Sequence, residues 1–248
     1  MAEAVTITAV EGLGEIAAGD DLAALLAERL TDARDGDVLV VAQKIVSKAE
    51  GRSIDLATVT PSARAIELAE TTGKDARLVE LVLTESSEVV RAVPAVLIAR
   101  HRLGFVLANA GIDRSNVPGE DRVLLLPLDP DGSAEALRVG LVARLGVALG
   151  VVISDSFGRP WRNGVVNVAI GAAGVASLWD RRGEADRNGR VLEMTEVAHA
   201  DALAAAAGMV MGEGAEGCPA ALVRGAHAPA PPRPASSLVR PLEKDLFR

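Results

Sequence analysis

Four short polar segments interrupt an otherwise apolar chain, and each carries residue types able to do chemistry. In NAGIDRSN, Asn109 to Asn116, Asp113 stands among Asn, Ser and Gly directly after the apolar run GFVLA. Several short oxygen ligands at a strand end suit a hard cation such as magnesium or manganese. A turn needing Gly111 and Asn116 for backbone reasons explains the same composition. In SDSFGRPWRNG, Ser154 to Gly164, Asp155 and Ser156 present a carboxylate and a hydroxyl, while Arg159 and Arg162 lie in a Gly- and Pro-shaped turn beside Trp161. Metal ligand, phosphate clamp and rigid turn are packed together there. The plainer reading is an ion-paired loop with an arginine stacked on Trp161.

The other two segments offer charge of each sign. KIVSKAEG, Lys44 to Gly51, ends a strongly apolar strand, and on an extended chain the even spacing of Lys44 and Lys48 turns both toward one polyanion. An edge strand with solvated lysines is the bland alternative. MGEGAEG, Met211 to Gly217, follows an Ala-rich helix, so Glu213 sits where the helix end already carries partial negative charge and gains from a bound cation. An ordinary Gly-rich cap with a solvated Glu has the same sequence. Other arrangements are missing. The stretch around Gly12 and Gly14 lacks a dinucleotide fingerprint, there is no GxxxxGK[ST] loop or GxSxG elbow, and His101, His199 and His227 are scattered.

Alternating short β-branched runs and helix-period segments must position these residues, which is the pattern of a mixed α/β protein. Strands are expected near Val5–Val10, Val38–Val46, Ala95–Ala99, Gly104–Ala108, Val123–Leu128, Val151–Ser154, Val165–Ile170 and Ala220–Val223. Helices are expected from Asp21 to about Ala33 with Asp20 as N-cap, from Pro61 to Gly73, from Ser133, and from Thr195 to Met211 with Gly212 as terminator. No period of 20 to 50 residues repeats. From Ala226 onward the chain holds five of its 12 prolines and reads as a linker or surface-draped tail, after which a further domain is expected in a longer form.

At 248 residues, 49% hydrophobic and 24% charged, the chain can bury a substantial core and is not of disordered composition. It has no Tyr, only three Phe and two Trp, and a net charge of −8, so it offers neither stacking platforms nor a basic footprint for nucleic acid. A single cysteine, Cys218, excludes an intramolecular disulfide and fits a reducing cytoplasm. Asn167 and Arg144 break the two longest apolar runs, so no membrane span is expected, and the N-terminus lacks the pattern of a signal peptide.

Taken in order, GLGEI, VAQKIVSKAEG, NAGIDRSN, SDSFGRPWRNG with VAIG, and EVAHADALAAAAGMVMGEG resemble the coenzyme F420:L-glutamate ligases, the gamma-glutamyl ligases of the deazaflavin coenzyme, over nearly all of residues 5 to 225. The resemblance implies an α+β fold of mixed β-sheets with packed helices in two interleaved sub-domains. It also implies a cytoplasmic homodimer, GTP as phosphoryl donor, two divalent metal ions (Mg or Mn) and a supporting potassium ion. The substrates would be GTP, L-glutamate and the deazaflavin coenzyme precursor, joined through an acyl phosphate.

By match to the family's motifs, Asp113 and Asp155 look like ligands of one metal, with Ser156 and Glu213 serving the second. Leu13, Gly14, Glu15, Ile16, Gln43, Lys44, Lys48, Asn116 and the turn comprising Gly208, Met211, Gly212, Glu213 and Gly214 correspond to the nucleotide site. Gln43 stands where the family often has a small hydroxyl residue, and Ser156 where Thr is common. Arg159 and Arg162 are assigned to the acceptor's phosphate or the glutamate carboxylates. On this reading residues 1–225 form the ligase domain and residues 226–248 a Pro-rich tail, and some longer relatives carry a flavin-dependent reductase domain after it. Two other readings use the same residues: a metal-dependent phosphotransferase or nucleotide hydrolase, and a nucleotide-binding module without turnover.

Overall fold

The run VLVVA at Val38–Ala42 is buried along nearly its whole length, as a strand covered on both faces must be. The computed structural model describes residues 4–117, 119 and 121–245, so the first three residues and the last three of the expected tail lie outside it. In chain order, β1 (Thr6–Ala9) and α1 (Leu22–Ala27) precede this strand, β2, which runs directly into α2 (Gln43–Ala49). Then come β3 (Ser53–Asp55), α3 (Ala63–Thr72), α4 (Ala76–Thr84), β4 (Ser86–Val93), β5 (Val96–His101), β6 (Val106–Ala108) and β7 (Arg122–Leu124). The chain continues with α5 (Pro130–Leu145), β8 (Gly150–Arg159), β9 (Arg162–Ala173), β10 (Leu178–Asp180), β11 (Glu196–Ala198), α6 (His199–Met211) and β12 (Ala220–Arg224).

The principal sheet has the order β1-β12-β2-β8-β9, in which only the β2–β8 pair is parallel. Strand alternation divides its side chains between two cores. Leu39, Val41, Val151 and Ile153 join α1 and α5 through Leu26 and Leu141, while Val38, Val40 and Val152 join α6 through Leu203, Ala204 and Ala207. Residues 53–125 build a second unit with its own core of Leu56, Leu68, Val79, Val82, Leu97 and Val123. There α3 and α4 pack beside the antiparallel β4-β5-β6 sheet, and β3 pairs with β7. The whole is a mixed α+β fold.

Local chemistry explains most boundaries. Ser62 caps α3 by accepting from Ala65 N, and Gly73 ends it at φ +69°. Pro130 opens α5 behind Asp129, three residues before the expected start at Ser133. Helix α1 starts one residue later than expected because Asp21, not Asp20, is its cap, and it ends at Ala27, six residues before the expected end; Asp20 instead accepts from Ala17 N at 2.8 Å in the preceding turn. The expected strand Val38–Val46 ends at Ala42, and its last four residues are helical. Residues 226–245 include parts of the packed interior: Ala228 and Ala235 are buried, Ala235 within the core on the α6 side of the main sheet, and Ala235 N donates to Asp131 Oδ1 at 2.7 Å. No helix among the described residues is long and apolar enough to cross a membrane.

Candidate functional site

The parallel ladder between β2 and β8 ends with Ala42 paired to Ser154, where β2 stops and β8 runs on. The residues that follow, Gln43 and Lys44 on α2 and Asp155 and Ser156 on β8, therefore emerge together where open α/β sheets place their ligands. A register shift between Ile153 and Ser154 against β9 marks a bulge there, a device that re-aims side chains. They line a cavity of about 430 Å³ with Leu13–Ile16, Lys48, Asn116, Asn167 and the turn from Met211 to Pro219. That volume is ordinary for a small-molecule site.

Lys44 and Lys48 reach the cavity from a helix, not an extended strand. A spacing of four residues shares a face in either geometry, so their convergence survives the change of element. Each lysine meets an acid: Lys44 Nζ lies 2.7 Å from Asp113 Oδ2, and Lys48 is ion-paired with Glu15 on the cavity wall. Gln43 is almost wholly buried; its Oε1 accepts from Ser47 Oγ at 2.8 Å, while its Nε2 has no partner.

Asp113 comes from the second unit, fixed by a bridge to Leu124. It accepts from Ser115 N and Oγ at 2.7 and 2.9 Å, and Lys44 Nζ also donates to Ser115 Oγ at 2.6 Å. The segment bends through left-handed backbone at Asn109, Ala110, Gly111 and Asn116, so the turn expected from its composition exists and also delivers the acid. Phe105 and Phe157 meet edge to face at 5.8 Å, tying this unit to β8. Asp113 itself is joined to the cavity through Lys44 rather than lining it.

Among the described residues, Asp155 has a backbone N–H, that of Ser156, but no side-chain hydrogen-bond donor of this kind. Burial, and the negative charges of Asp113 and Glu213, push its carboxyl up to about 7 against the Ser156 N–H and the Lys44 charge. Asp113 is held below the usual carboxylate range despite its burial, because Lys44 and Ser115 hydrogen-bond to it. Among the described residues no three His, Cys, Asp or Glu side chains are gathered into a metal-holding group. The donor chemistry nevertheless fits an oxygen-seeking divalent cation: Asp113, Asp155 and Glu213 supply carboxylates, Ser156 a hydroxyl, and Lys44 offsets only part of the negative charge around Asp155.

The expected loop Ser154–Gly164 is a hairpin in which β8 and β9 run on to a turn at Pro160 and Trp161. Arg159 and Arg162 flank that turn as a cross-strand pair and do not line the cavity. Among the described residues no arginine stacks on Trp161, which is 89% exposed; Arg181 instead lies over Trp179 at 4.7 Å. Helix α6 ends at Gly212, as expected, and delivers Glu213 to the cavity, whereas Gly208 lies inside the helix and not at the wall. Among the wall residues that had no functional reading in the sequence, Asn167 and Glu216 carry polar side chains able to hold a ligand or another side chain. Asn167 was visible only as a polar interruption in an apolar run; Glu216, accepting from Gly214 N at 2.7 Å, had no signal beyond its glycine-rich turn.

Comparison with known proteins gives a consistent answer. Residues 12–225 match the family model described as F420-0:Gamma-glutamyl ligase. The chain is similar to the coenzyme F420:L-glutamate ligase of Methanothermobacter thermautotrophicus, 47% identical with 98% of this chain and 99% of the relative covered. It is also similar to the proteins of that name from Methanopyrus kandleri (49% identical, 93% and 92% covered) and Archaeoglobus fulgidus (49% identical, 89% and 88% covered).

Proposed function

Because the chain belongs to the F420-0:gamma-glutamyl ligase family, and so to the ligases that form C–N bonds in coenzyme F420 biosynthesis, we propose that it joins L-glutamate to the deazaflavin precursor at the expense of GTP. The observation that carries this reading is Asp155, a half-buried carboxylate that shares one cavity with Glu213 and two lysines and is reached by Asp113 through Lys44.

A carboxylate is a poor electrophile. Transfer of the γ-phosphoryl group of GTP to the acceptor's carboxylate gives an acyl phosphate and GDP, and the glutamate amine then attacks that carbonyl and expels phosphate. Such transfer is mainly positioning and charge neutralisation. Lys44 and Lys48 exchange Asp113 and Glu15 for phosphate oxygens, while Leu13–Ile16, Gln43, Asn116 and Met211–Gly214 enclose the nucleotide. Asp113, Asp155, Ser156 and Glu213 would hold the two divalent ions, Mg or Mn, with potassium in support. When bound, these ions neutralise the charge that develops on the phosphoryl oxygens. Arg159 and Arg162 are cations suited to the acceptor's phosphate or the glutamate carboxylates. Residues 1–225 are the catalytic domain and residues 226–248 its tail; the chain works as a cytoplasmic homodimer, a location its single cysteine supports.

The test is to measure GDP, GMP and phosphate with each substrate omitted in turn, alongside the mass of the deazaflavin. GDP and phosphate should form steadily only when acceptor and glutamate are both present, with one glutamyl increment per turnover. GMP would exclude the activation step, and equal GDP release without glutamate would make the chain a nucleotide hydrolase.

A further inference from the structure

Helix α6 reads HADALAAAAGMVM, and the glycine in it is conspicuous: Gly208 is an interior helical position in an alanine-rich helix, where alanine is the better former. Its φ is not positive, so no left-handed turn calls for glycine there. Space does. A Cβ at Gly208 would lie 2.5 Å from Asn167 Nδ2 and 3.1 Å from its Cγ. The Asn167 amide thus lies in the groove that the missing side chain leaves on the helix.

Asn167 is also out of place on its own strand. It interrupts the apolar segment VVNVAI of β9, directly opposite Ser156 on β8, and its side chain faces the cavity. From there Nδ2 donates to Glu213 Oε1 at 2.6 Å. A carboxylate only accepts hydrogen bonds, so the nitrogen end of the amide must be the one that faces it. Glu213 follows Gly212, which ends α6 at φ +75°, and a residue just past a helix end has few local restraints on its side chain. Asn167 supplies one, from an element that α6 is already anchored to at its other end, where Asp201 Oδ1 accepts from Ala169 N at 2.9 Å.

We propose that Asn167 is a positioning residue: it holds the Glu213 carboxylate in the cavity opposite Ser156, and Gly208 is glycine to admit it. This rests on the reading that Glu213 faces a divalent cation. A partner that fixes the direction of a ligating carboxylate commonly matters by about 10- to 100-fold in metal affinity. The role assigned to Gly208 is therefore steric support of this contact and not contact with nucleotide.

The experiment is direct titration of the purified full chain with Mn²⁺, read by electron paramagnetic resonance of the free ion, together with the Mn²⁺ dependence of kcat and KM. Asn167→Ala should weaken Mn²⁺ binding by about 10-fold or more, raise the Mn²⁺ concentration for half-maximal rate equally, and leave circular dichroism unchanged. Gly208→Ala should act in the same direction by displacing the amide, and should add nothing once Asn167 is Ala. In a Glu213→Gln background, Asn167→Ala should lose most of its effect. Unaltered Mn²⁺ binding in Asn167→Ala, with Glu213→Gln weakened, would overturn the positioning role and leave the ligase reading intact. A loss that persists undiminished in Glu213→Gln would also overturn it, since Asn167 would then act by itself. Equal binding by Glu213→Gln and the unaltered chain would remove Glu213 from the cation site, and the inference with it.

Discussion

Asp155 and Glu85 are both carboxylates drawn into the protein, and they are treated in opposite ways. Glu85 ends α4 in the second unit, its side chain 12% exposed, with His101, Arg52 and Arg102 around it. The His101 imidazole that faces it, then the guanidinium charges of Arg52 and Arg102, hold it down to about 2 against the cost of burial. His101 Nδ1 accepts from Leu103 N, so the ring proton sits on Nε2, 3.4 Å from Glu85. Arg52 also donates to Leu126 O at 2.9 Å, which makes this cluster a tie between the β4-β5 sheet and the segment leading to α5. At Asp155 the surrounding charges are chiefly negative, and the carboxyl rises to about 7. Glu85 receives its cations from the chain; on the function proposed above, Asp155 takes its cation from solution.

The largest expected effect breaks the functional side. Asp155→Asn and Asp113→Asn should each lower kcat by about 10³-fold, since each removes charge from where phosphoryl transfer needs a cation held, while circular dichroism stays native. Near-normal turnover of both variants at limiting metal would cancel the distinction between the two acids.

Next comes the structural side. Glu85→Ala leaves Arg52 and Arg102 facing an emptied, mostly buried pocket, and should cost about 3 kcal/mol, or roughly 6–12 °C in Tm. The Michaelis constant for GTP of the folded fraction should not move. The sign with pH follows from the lowered pKa: the stabilisation by Glu85 is complete above the ordinary carboxylate value of 4.5 and fades as pH falls from there toward 2. Denaturation midpoints of the two proteins should therefore converge across that window.

The smallest effect sharpens the contrast by reversing its sign. The Asp155 pKa is raised from 3.8 to about 7, so its ionised form weakens the metal-free fold, with no penalty below 3.8 and the full penalty above 7. With chelator present, Asp155→Asn should be more stable than the unaltered chain by about 1–2 kcal/mol at pH 8 and equal to it near pH 4. Saturating Mn²⁺ should erase or invert the gain. A variant less stable than the parent at pH 8 would show that Asp155 is a structural acid like Glu85.

Much of this was readable along the chain because it depends on neighbours in sequence. Capping side chains, a left-handed glycine or a β-branched run act within a few residues, so the C-terminal ends of α3 and α6 and the strand β12 were legible, whereas the start of α6 expected at Thr195 falls at His199, after the strand β11. Helix α4 and strand β4 went unread, since ARLVELVLT and SSEVVRAV follow one another with no Gly or Pro to divide them. Lys44 and Lys48 were placed on a strand because the run VLVVAQKIV is apolar apart from Gln43 and Lys44, and only packing beyond Ala42 decides that it coils.

By itself, then, the sequence determined which short segments carry acids and bases, in what order, and that strands and helices would present them at element ends. Tertiary structure alone decided their partners. Asp113 meets Lys44 across the joint between two separately packed units, and Asn167 meets Glu213 because a side chain is missing from Gly208. Contacts between residues so far apart in the chain depend on how whole cores pack, and no local preference of the backbone encodes them.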